Sequence, residues 1–233
     1  MRRLLVPAAR RISDVNLLAR SVLRRDADLT MPPVVGPPAE PVLVIAPHAD
    51  DESIGCGGVL ALADQASVVL LTGDKQRRGE AAEALGVLGI TDLLFLAAKD
   101  QRVSEASSLA QQIADAVVSR SAATVFLPYP LDRHRDHVAA ARAVAAASLS
   151  CELWCYEVWT PLDPNRLVDI TSVCDVKREA IKCHRSQVEG HAYADAALGL
   201  NQYRALVVPP ATHAEAFLSV TNGELRRLLG GER

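Results

Sequence analysis

The sequence predicts a Rossmann-like three-layer α/β domain, in which a mostly parallel sheet lies between two layers of helices. Two observations lead to this prediction. Short apolar runs alternate with helical patterns from residue 42 onward, which is typical of βαβ units. The first run, residues 42–46, is apolar at every position, as expected for a strand that is covered on both faces of a sheet.

Four strands and four helices follow in alternation. The predicted strands are residues 42–46, 67–72, 93–96 and 124–127. The predicted helices are residues 55–65, 76–88, 104–119 and 137–147. Gly89 ends the second helix, and Ser104 is the predicted N-cap of the third.

The pattern changes after residue 150. Residues 151–159 and 166–170 predict two further strands that suit an antiparallel edge of the sheet. Residues 175–186 and 193–206 predict two more helices.

The predicted domain, residues 42–233, is preceded by two segments of different composition. Residues 1–30 form an N-terminal extension in which residues 1–25 carry seven arginines and one acid, Asp14, with apolar residues at helical spacing. We predict a basic amphipathic helix that packs on the domain or contacts a partner or an anionic membrane surface. Residues 31–41 hold five prolines and predict a semi-rigid linker.

Composition excludes several classes of function. The net charge of −3 and the aromatic content of 4% give no field or stacking platform for nucleic acid. The five cysteines contain no CxxC pair, which argues against a thiolate zinc site and fits a reducing compartment. No stretch approaches the ~20 apolar residues of a membrane span. We therefore predict a cytoplasmic protein that could contact a membrane only peripherally, and leave its oligomeric state open.

Polar clusters follow three of the predicted strands, and the one after the second strand is TGDKQR, residues 72–77. The stretch PHADDES, residues 47–53, follows the first strand, and HRDH, residues 134–137, follows the fourth. Ligands of open parallel sheets bind beyond the carboxyl ends of the strands, so both clusters can face one crevice. Alone, each has a plainer interpretation: a solvated acidic turn, and a surface or capping HxxH. Together they favour a metal site, because adjacent carboxylates in a partly buried turn need a compensating charge.

The residue types suit hydrolysis by a catalytic zinc. His48 and Asp51 are three residues apart, as are His134 and His137. One histidine from each motif and one aspartate would give zinc three protein ligands and leave a position open for water. Asp50 and one further histidine would remain to handle protons.

Five motifs in order resemble the PIG-L/LmbE-like N-acetylglucosaminyl deacetylases. PHADDESIGCGG, residues 47–58, resembles the signature PHPDDE…G.GG, and PYPLDRHRDHVAA, residues 128–140, resembles the second metal motif P...D.H.DH. RRGEAAEALGV (residues 77–87), KCHRSQ (182–187) and AEAF (214–217) resemble three further landmarks. The resemblance spans roughly residues 41–220 of the printed sequence.

The resemblance implies zinc-dependent removal of the acetyl group from an N-acetylhexosamine such as N-acetylglucosamine, with one Zn²⁺ per chain. His48, Asp51 and His137 would be the zinc ligands. Asp50 would be the general base on the metal-bound water. His134 would stabilise the oxyanion and protonate the departing amine, and Asp136 would orient a histidine.

The chain departs from the family pattern at two places. Ala49 replaces the usual proline, and the segment after the second strand, TGDKQRRGE, is short. Arg77 or Arg78 could contact substrate there, although either is as readily a solvated helix residue. His184 could approach the site, or serve structure.

Two other functions stay open at this point. A metal-dependent phosphoesterase could use the same crevice, although few further His and Asp ligands exist for a second metal. A non-catalytic sugar-binding module could keep the fold, although a pure binder has no need of Asp50 and His134 together. The N-acetylated substrate itself, whether glycolipid, polysaccharide precursor or small molecule, is not specified by the sequence.

Overall fold

The structure is a computed structural model, and it describes residues 36–96, 98–105 and 108–230. The predicted N-terminal helix, residues 1–30, and the first part of the predicted linker, residues 31–35, lie outside the described residues.

Seven strands of the described chain form one sheet, and the α/β prediction is confirmed. The strands are β1 (Val42–Ala46), β2 (Ala66–Leu70), β3 (Asp92–Phe95), β4 (Thr124–Pro128), β5 (Glu152–Tyr156), β6 (Arg166–Asp169) and β7 (Ala214–Val220). Their order is β3-β2-β1-β4-β5-β7-β6. The first five pair in parallel, whereas β7 runs antiparallel to both β5 and β6.

The helices of the described chain cover both faces of this sheet. They are α1 (Asp51–Leu62), α2 (Lys75–Val87), α3 (Leu109–Ser119), α4 (Arg135–Ala147), α5 (Cys174–Cys183), α6 (Arg185–Val188), α7 (Tyr193–Ala205) and α8 (Asn222–Leu228). Short 3₁₀ turns occur at Val103–Glu105 and Thr171–Val173.

Alternate residues of β1 face two separate apolar clusters. Leu43 and Ile45 pack with residues of α3, α4 and α8 on one face. Val42 and Val44 pack with residues of α1, α2 and α5 on the other. A strand buried on both faces must be apolar throughout, which is why residues 42–46 carry no polar side chain.

Three sequence predictions about the elements were wrong. Residues 152–156 form an interior strand parallel to β4 rather than part of an antiparallel edge, because β7, which was not predicted, inserts between β5 and β6. The third helix begins at Leu109, and Ser104 lies in a 3₁₀ turn instead of at an N-cap. The first helix begins at Asp51 rather than at Gly55.

The glycines after the acidic residues let α1 approach the sheet closely. A Cβ atom on Gly55 would lie 2.3 Å from Cδ2 of Tyr156, and one on Gly58 would lie 2.5 Å from Cγ2 of Ile170. No side chain fits at these two positions. The close packing holds the amino end of α1, and therefore the acidic residues, against the sheet.

The end of the proline-rich segment is bound to the domain. The Glu40 carboxylate accepts hydrogen bonds from the backbone N–H groups of Asp64 and Gln65, and the Thr124 hydroxyl donates to the carbonyl of Ala39. The part of the chain that the structure describes has no helix with both the length and the apolarity for crossing a membrane.

Candidate metal centre

The predicted site residues lie at the topological switch point of the sheet. β1 pairs with β2 on one side and with β4 on the other, so the chain leaves these neighbouring strands toward opposite faces. The loops after β1 and β4 consequently diverge and leave a crevice between them, which is where open α/β sheets bind ligands.

The loop after β1 holds Asp50 in an uncommon backbone conformation. Asp50 has φ 148° and ψ −28°, a region that residues with a side chain rarely adopt. Two hydrogen bonds maintain this turn: the Asp51 carboxylate accepts from the N–H of His48 at 2.9 Å, and the Glu52 carboxylate accepts from the N–H of Asp50 at 3.1 Å. Strain of this kind persists where the surroundings impose it, and it clusters at functional sites.

The loop after β4 places two histidines at the start of α4. His134 is the N-cap residue, and its Nδ1 accepts a hydrogen bond from the N–H of Asp136 at 3.2 Å. His137 follows one turn later and is fully buried. Asp132 shapes the loop by accepting from the N–H of His134 at 2.8 Å.

The two loops bring four candidate ligands together. One ring nitrogen from each of His48, His134 and His137 lies within 4.8 Å of the other two. Oδ2 of Asp51 lies 3.2 Å from Nδ1 of His48 and 3.3 Å from Nε2 of His137. These are His and carboxylate donors of the kind that bind zinc.

Two further aspartates lie behind the histidines. Nε2 of His48 is 3.3 Å from Oδ2 of Asp136, which also accepts the N–H of Gln101 at 2.7 Å. Nδ1 of His137 is 3.4 Å from Oδ1 of Asp132. A carboxylate behind a ligating histidine fixes the orientation of its ring, and this pattern occurs twice here.

The ring nitrogens of His137 indicate whether these residues fit a cation. Both are buried, lie within 3.4 Å of carboxylate oxygens, and yet make no hydrogen bond of acceptable geometry among the described residues. A buried polar atom without a partner costs about 1–3 kcal/mol. A cation bound to Nε2 would satisfy that nitrogen, so the residues present fit a metal ion in the cluster of His48, His134 and His137 beside Asp51.

The charges of the cluster also favour a cation. Burial alone would lower the pKa of both His48 and His137. The Asp51 carboxylate instead raises the pKa of His48 to about 9, and Asp51 together with Asp132 raises that of His137 to about 10. Burial, together with the charges of Asp51 and Glu52, raises the pKa of Asp50 to about 8. Protons therefore neutralise the cluster when no cation is bound, and a divalent ion would displace them.

Of the remaining predicted residues, Arg77 lies near this centre, whereas Arg78 and His184 make other contacts. Arg77 lies at the rim, where its Nη1 is 3.4 Å from Oδ2 of Asp100, and Oδ1 of Asp100 is 3.4 Å from Nε2 of His48. Arg78 instead donates to the carbonyl of Gly73 and stacks on Phe95. His184 is fully buried, which excludes direct contact with substrate in this conformation.

His184 supports the acidic turn from behind. Its Nε2 lies 3.0 Å from the Ser53 hydroxyl and 3.1 Å from Oε1 of Glu52. Glu52 in turn accepts the N–H of Asp50, so the HRSQ motif holds the strained residue in place through two buried side chains.

Sequence reasoning missed three residues of this neighbourhood: Glu52, Asp100 and Asp132. Glu52 and Asp132 stand inside the quoted motifs, so their position beside ligand candidates was an available signal. Asp100 lies in a loop of no recognisable pattern, and its approach to His48 follows only from the folded chain.

Comparison with known proteins agrees with this geometry. The family model described as PIG-L, GlcNAc-PI de-N-acetylase, matches residues 43–148, which include both metal-facing loops. The uncharacterized deacetylase YaiS of Escherichia coli (strain K12) is 27% identical over 167 residues, which are 62% of this chain and 90% of YaiS.

Solved structures share the fold. The conserved protein TT1542 of Thermus thermophilus is 30% identical, with a TM-score of 0.70 over 76% of this chain and 93% of its own. The N,N′-diacetylchitobiose deacetylase of Pyrococcus horikoshii is 20% identical, with a TM-score of 0.67 over 95% and 96%. GalB, the 4-carboxy-2-hydroxymuconate hydratase of Pseudomonas putida KT2440, is 22% identical, with a TM-score of 0.68 over 77% and 95%. Because a deacetylase and a hydratase share this fold, the reaction must be argued from the site.

Proposed function

We propose that this chain, which belongs to the PIG-L family, is a zinc-dependent hydrolase that removes the N-acetyl group from an N-acetylhexosamine such as N-acetylglucosamine. Family membership rests on the match over residues 43–148 and on the related deacetylase YaiS. One observation supports the reaction most directly: Asp50 and His134, which can move protons, adjoin the cluster of His48, Asp51 and His137.

The metal ligands in this proposal are His48, Asp51 and His137. A bound zinc would polarise the amide carbonyl and lower the pKa of water, which makes a poor electrophile and a poor nucleophile reactive at neutral pH. The three side chains would also set its position relative to the two loops.

Asp50 is the proposed general base. No described residue donates a hydrogen bond to its carboxylate, although its backbone N–H and C=O are both bonded. The carboxylate is therefore free to accept a proton from the attacking water. The charge of a nearby cation would keep Asp50 ionised at neutral pH despite the burial that raises its pKa without one.

His134 is the proposed donor to the developing oxyanion. Its Nδ1 accepts the N–H of Asp136, so the proton of a neutral ring must reside on Nε2. An Nε2–H group can stabilise negative charge on the carbonyl oxygen. Protonating the departing amine would require a cationic ring, in which Nδ1 gives up the N–H of Asp136 and takes a proton itself. Because Nδ1 caps α4, Nε2 is the ring nitrogen that can act on the substrate.

A phosphoesterase with two metals gains no support from the described residues. A second group of possible ligands comprises His48, Asp100 and Asp136, but it shares His48 with the first group. Asp136 also accepts two backbone N–H groups from the loop at Gln101 and Val103.

The proposal is tested by measuring acetate released from a panel of N-acetylated sugars by zinc-loaded protein. We expect acetate from at least one N-acetylhexosamine, and a rate about 10²–10⁴-fold lower from the Asp50→Ala variant at equal zinc content. Acetate from neither protein, or phosphate released from phosphorylated sugars instead, would refute the proposal.

A further inference from the structure

A cavity beside the metal centre belongs to none of the roles assigned above. It has a volume of about 220 Å³ and lies between the segment after β5 and helix α7. Its walls include Ile54, Val158, Trp159, Tyr193, Ala197 and Leu200. Trp159 is 50% exposed and meets Tyr193 edge to face, with ring centroids 5.7 Å apart.

The cavity adjoins the proposed catalytic groups. Ile54 and Gly55, which line it, belong to α1 and follow Asp51 by three and four residues. On the opposite wall, the N–H groups of Trp159 and Thr160 donate to Oδ2 of Asp132 at 3.1 and 3.2 Å, and Oδ1 of Asp132 lies 3.4 Å from His137.

The lining of the cavity is chemically suited to an uncharged apolar group. Most of its walls are aliphatic or aromatic. The one acid of the lining, Glu157, is neutralised by a buried ion pair with Arg204 and also accepts the N–H of Leu162. Among the described residues that line it, no side chain carries a positive charge, so nothing there recognises a phosphate.

The opposite rim of the metal centre is polar. Arg77 and Asp100 lie beside His48 and can hydrogen-bond the hydroxyls of a sugar ring. An N-acylated amino sugar has the same asymmetry, because the hydroxyls of its ring lie on one side of the amide and its acyl chain on the other. With the sugar at Arg77 and Asp100, the acyl chain would extend toward Trp159 and Tyr193.

We infer that this cavity binds the acyl chain of the substrate, and that the chain preferred is longer than acetyl, from four to six carbons. The inference rests on the proposed function. A terminal methyl occupies a volume close to that of one water, roughly 30 Å³, and would leave most of the 220 Å³ unfilled. In the reaction, water adds its oxygen to the acyl carbon, the C–N bond breaks, and the products are a short-chain carboxylic acid and the free amino sugar.

The test compares hydrolysis of glucosamine carrying acetyl, butanoyl or hexanoyl groups by the zinc-loaded full chain. Free amine is the common readout for all three substrates. We expect kcat/KM to rise about tenfold or more from acetyl to butanoyl, because each additional buried methylene contributes about 0.8 kcal/mol.

Three variants locate the effect. Ala197→Phe places a ring in the cavity and should lower the hexanoyl-to-acetyl ratio of kcat/KM toward one. Ala197→Leu is a smaller change that should lower the same ratio less. It replaces Ala197→Phe in the test if the larger ring prevents folding. Gln202→Phe adds a ring at an exposed position of the same helix, outside the cavity lining, and should preserve the wild-type ratio.

The outcomes separate the inference from the proposed function. Equal rates for the three acyl groups, or a gain from an apolar group on the sugar's anomeric oxygen instead, would overturn the inference and leave the deacylase intact. Release of amine from none of them would refute the proposed function, and calorimetric titration would then decide the inference. Tighter binding of N-hexanoylglucosamine than of N-acetylglucosamine, lost in Ala197→Phe, would support it, and equal binding would overturn it.

Discussion

At the scale of single residues, Asp50 combines three unfavourable features. Its backbone is in a region that favours glycine, its carboxylate is partly buried, and Asp51 and Glu52 repel it. Each feature costs stability. Such costs are typical of a functional residue rather than a stabilising one, and the proposed role of Asp50 as the general base would account for them.

We expect Asp50→Ala to reduce kcat by about 10²–10⁴-fold, because general-base catalysis typically contributes that factor. Zinc content should remain equal to wild type, since the proposed ligands are untouched. Steady-state kinetics and elemental analysis on the same sample make the comparison. Substantial turnover by the variant would remove Asp50 as the base, and a loss of zinc would show that it is a ligand.

Zinc affinity should depend steeply on pH. Without a cation, Asp51 raises the pKa of His48 to about 9, and Asp51 together with Asp132 raises that of His137 to about 10, so both rings are protonated at pH 7. Zinc must displace these protons, and its affinity should therefore rise with pH, by roughly tenfold per pH unit for each proton displaced. Competition with a chromophoric chelator between pH 6 and 8 measures this slope. A flat profile would mean that these histidines do not bind the metal.

At the scale of elements, the close approach of α1 to the sheet depends on two glycines. Gly55→Ala should destabilise the fold by about 1–3 kcal/mol, because its Cβ would overlap the buried ring of Tyr156. Gly79 in α2 has open space where its Cβ would stand, so Gly79→Ala should be neutral or stabilising by up to about 1 kcal/mol. Urea denaturation of both variants measures the difference. Equal stabilities would contradict the packing described for α1.

A second contact between elements should respond to pH. Glu80 of α2 accepts the N–H and the hydroxyl of Ser186 in α6 at 3.1 and 2.6 Å. Burial raises the pKa of Glu80, but these bonds and one from Gln76 lower it by more. The net result is a pKa below the usual value of 4.5. The stabilisation is thus present above about pH 4.5 and is lost as pH falls through the lowered pKa.

The Glu80→Gln variant isolates that contribution. At pH 7 it should lower the free energy of unfolding by about 1 kcal/mol, and the difference from wild type should shrink as the pH falls toward 3. Urea denaturation across this range gives the comparison. A difference that stays constant with pH would mean that the charge of Glu80 contributes nothing.

At the scale of the whole molecule, the sequence predicts best where local pattern and fold agree. The apolar runs of β1, β2 and β4 are buried almost throughout, so their composition alone reveals them. β7 escaped prediction because its place between β5 and β6 depends on pairing with strands far away in the chain. The start of α1 at Asp51 was also missed, because the strained turn at Asp50 overrides the helix-breaking preference of the glycines that follow.

The site divides in the same way. His48, Asp51, His134 and His137 stand in two motifs at strand ends, and parallel topology is sufficient to bring them together. Asp132 and Asp100 approach the histidines only through the folding of their loops, which no local pattern encodes. The motifs therefore identify the candidate ligands and catalytic groups, whereas the carboxylates that support them are found only in the structure.

The central claim is that one zinc at this site enables removal of an acetyl group. The most direct test is acetate release from N-acetylhexosamines by protein stripped of metal with a chelator, before and after one equivalent of zinc is restored. We predict no acetate from the stripped protein, recovery with zinc, and no recovery in His137→Ala. Acetate release that is unaffected by stripping, or that returns equally in His137→Ala, would contradict the account.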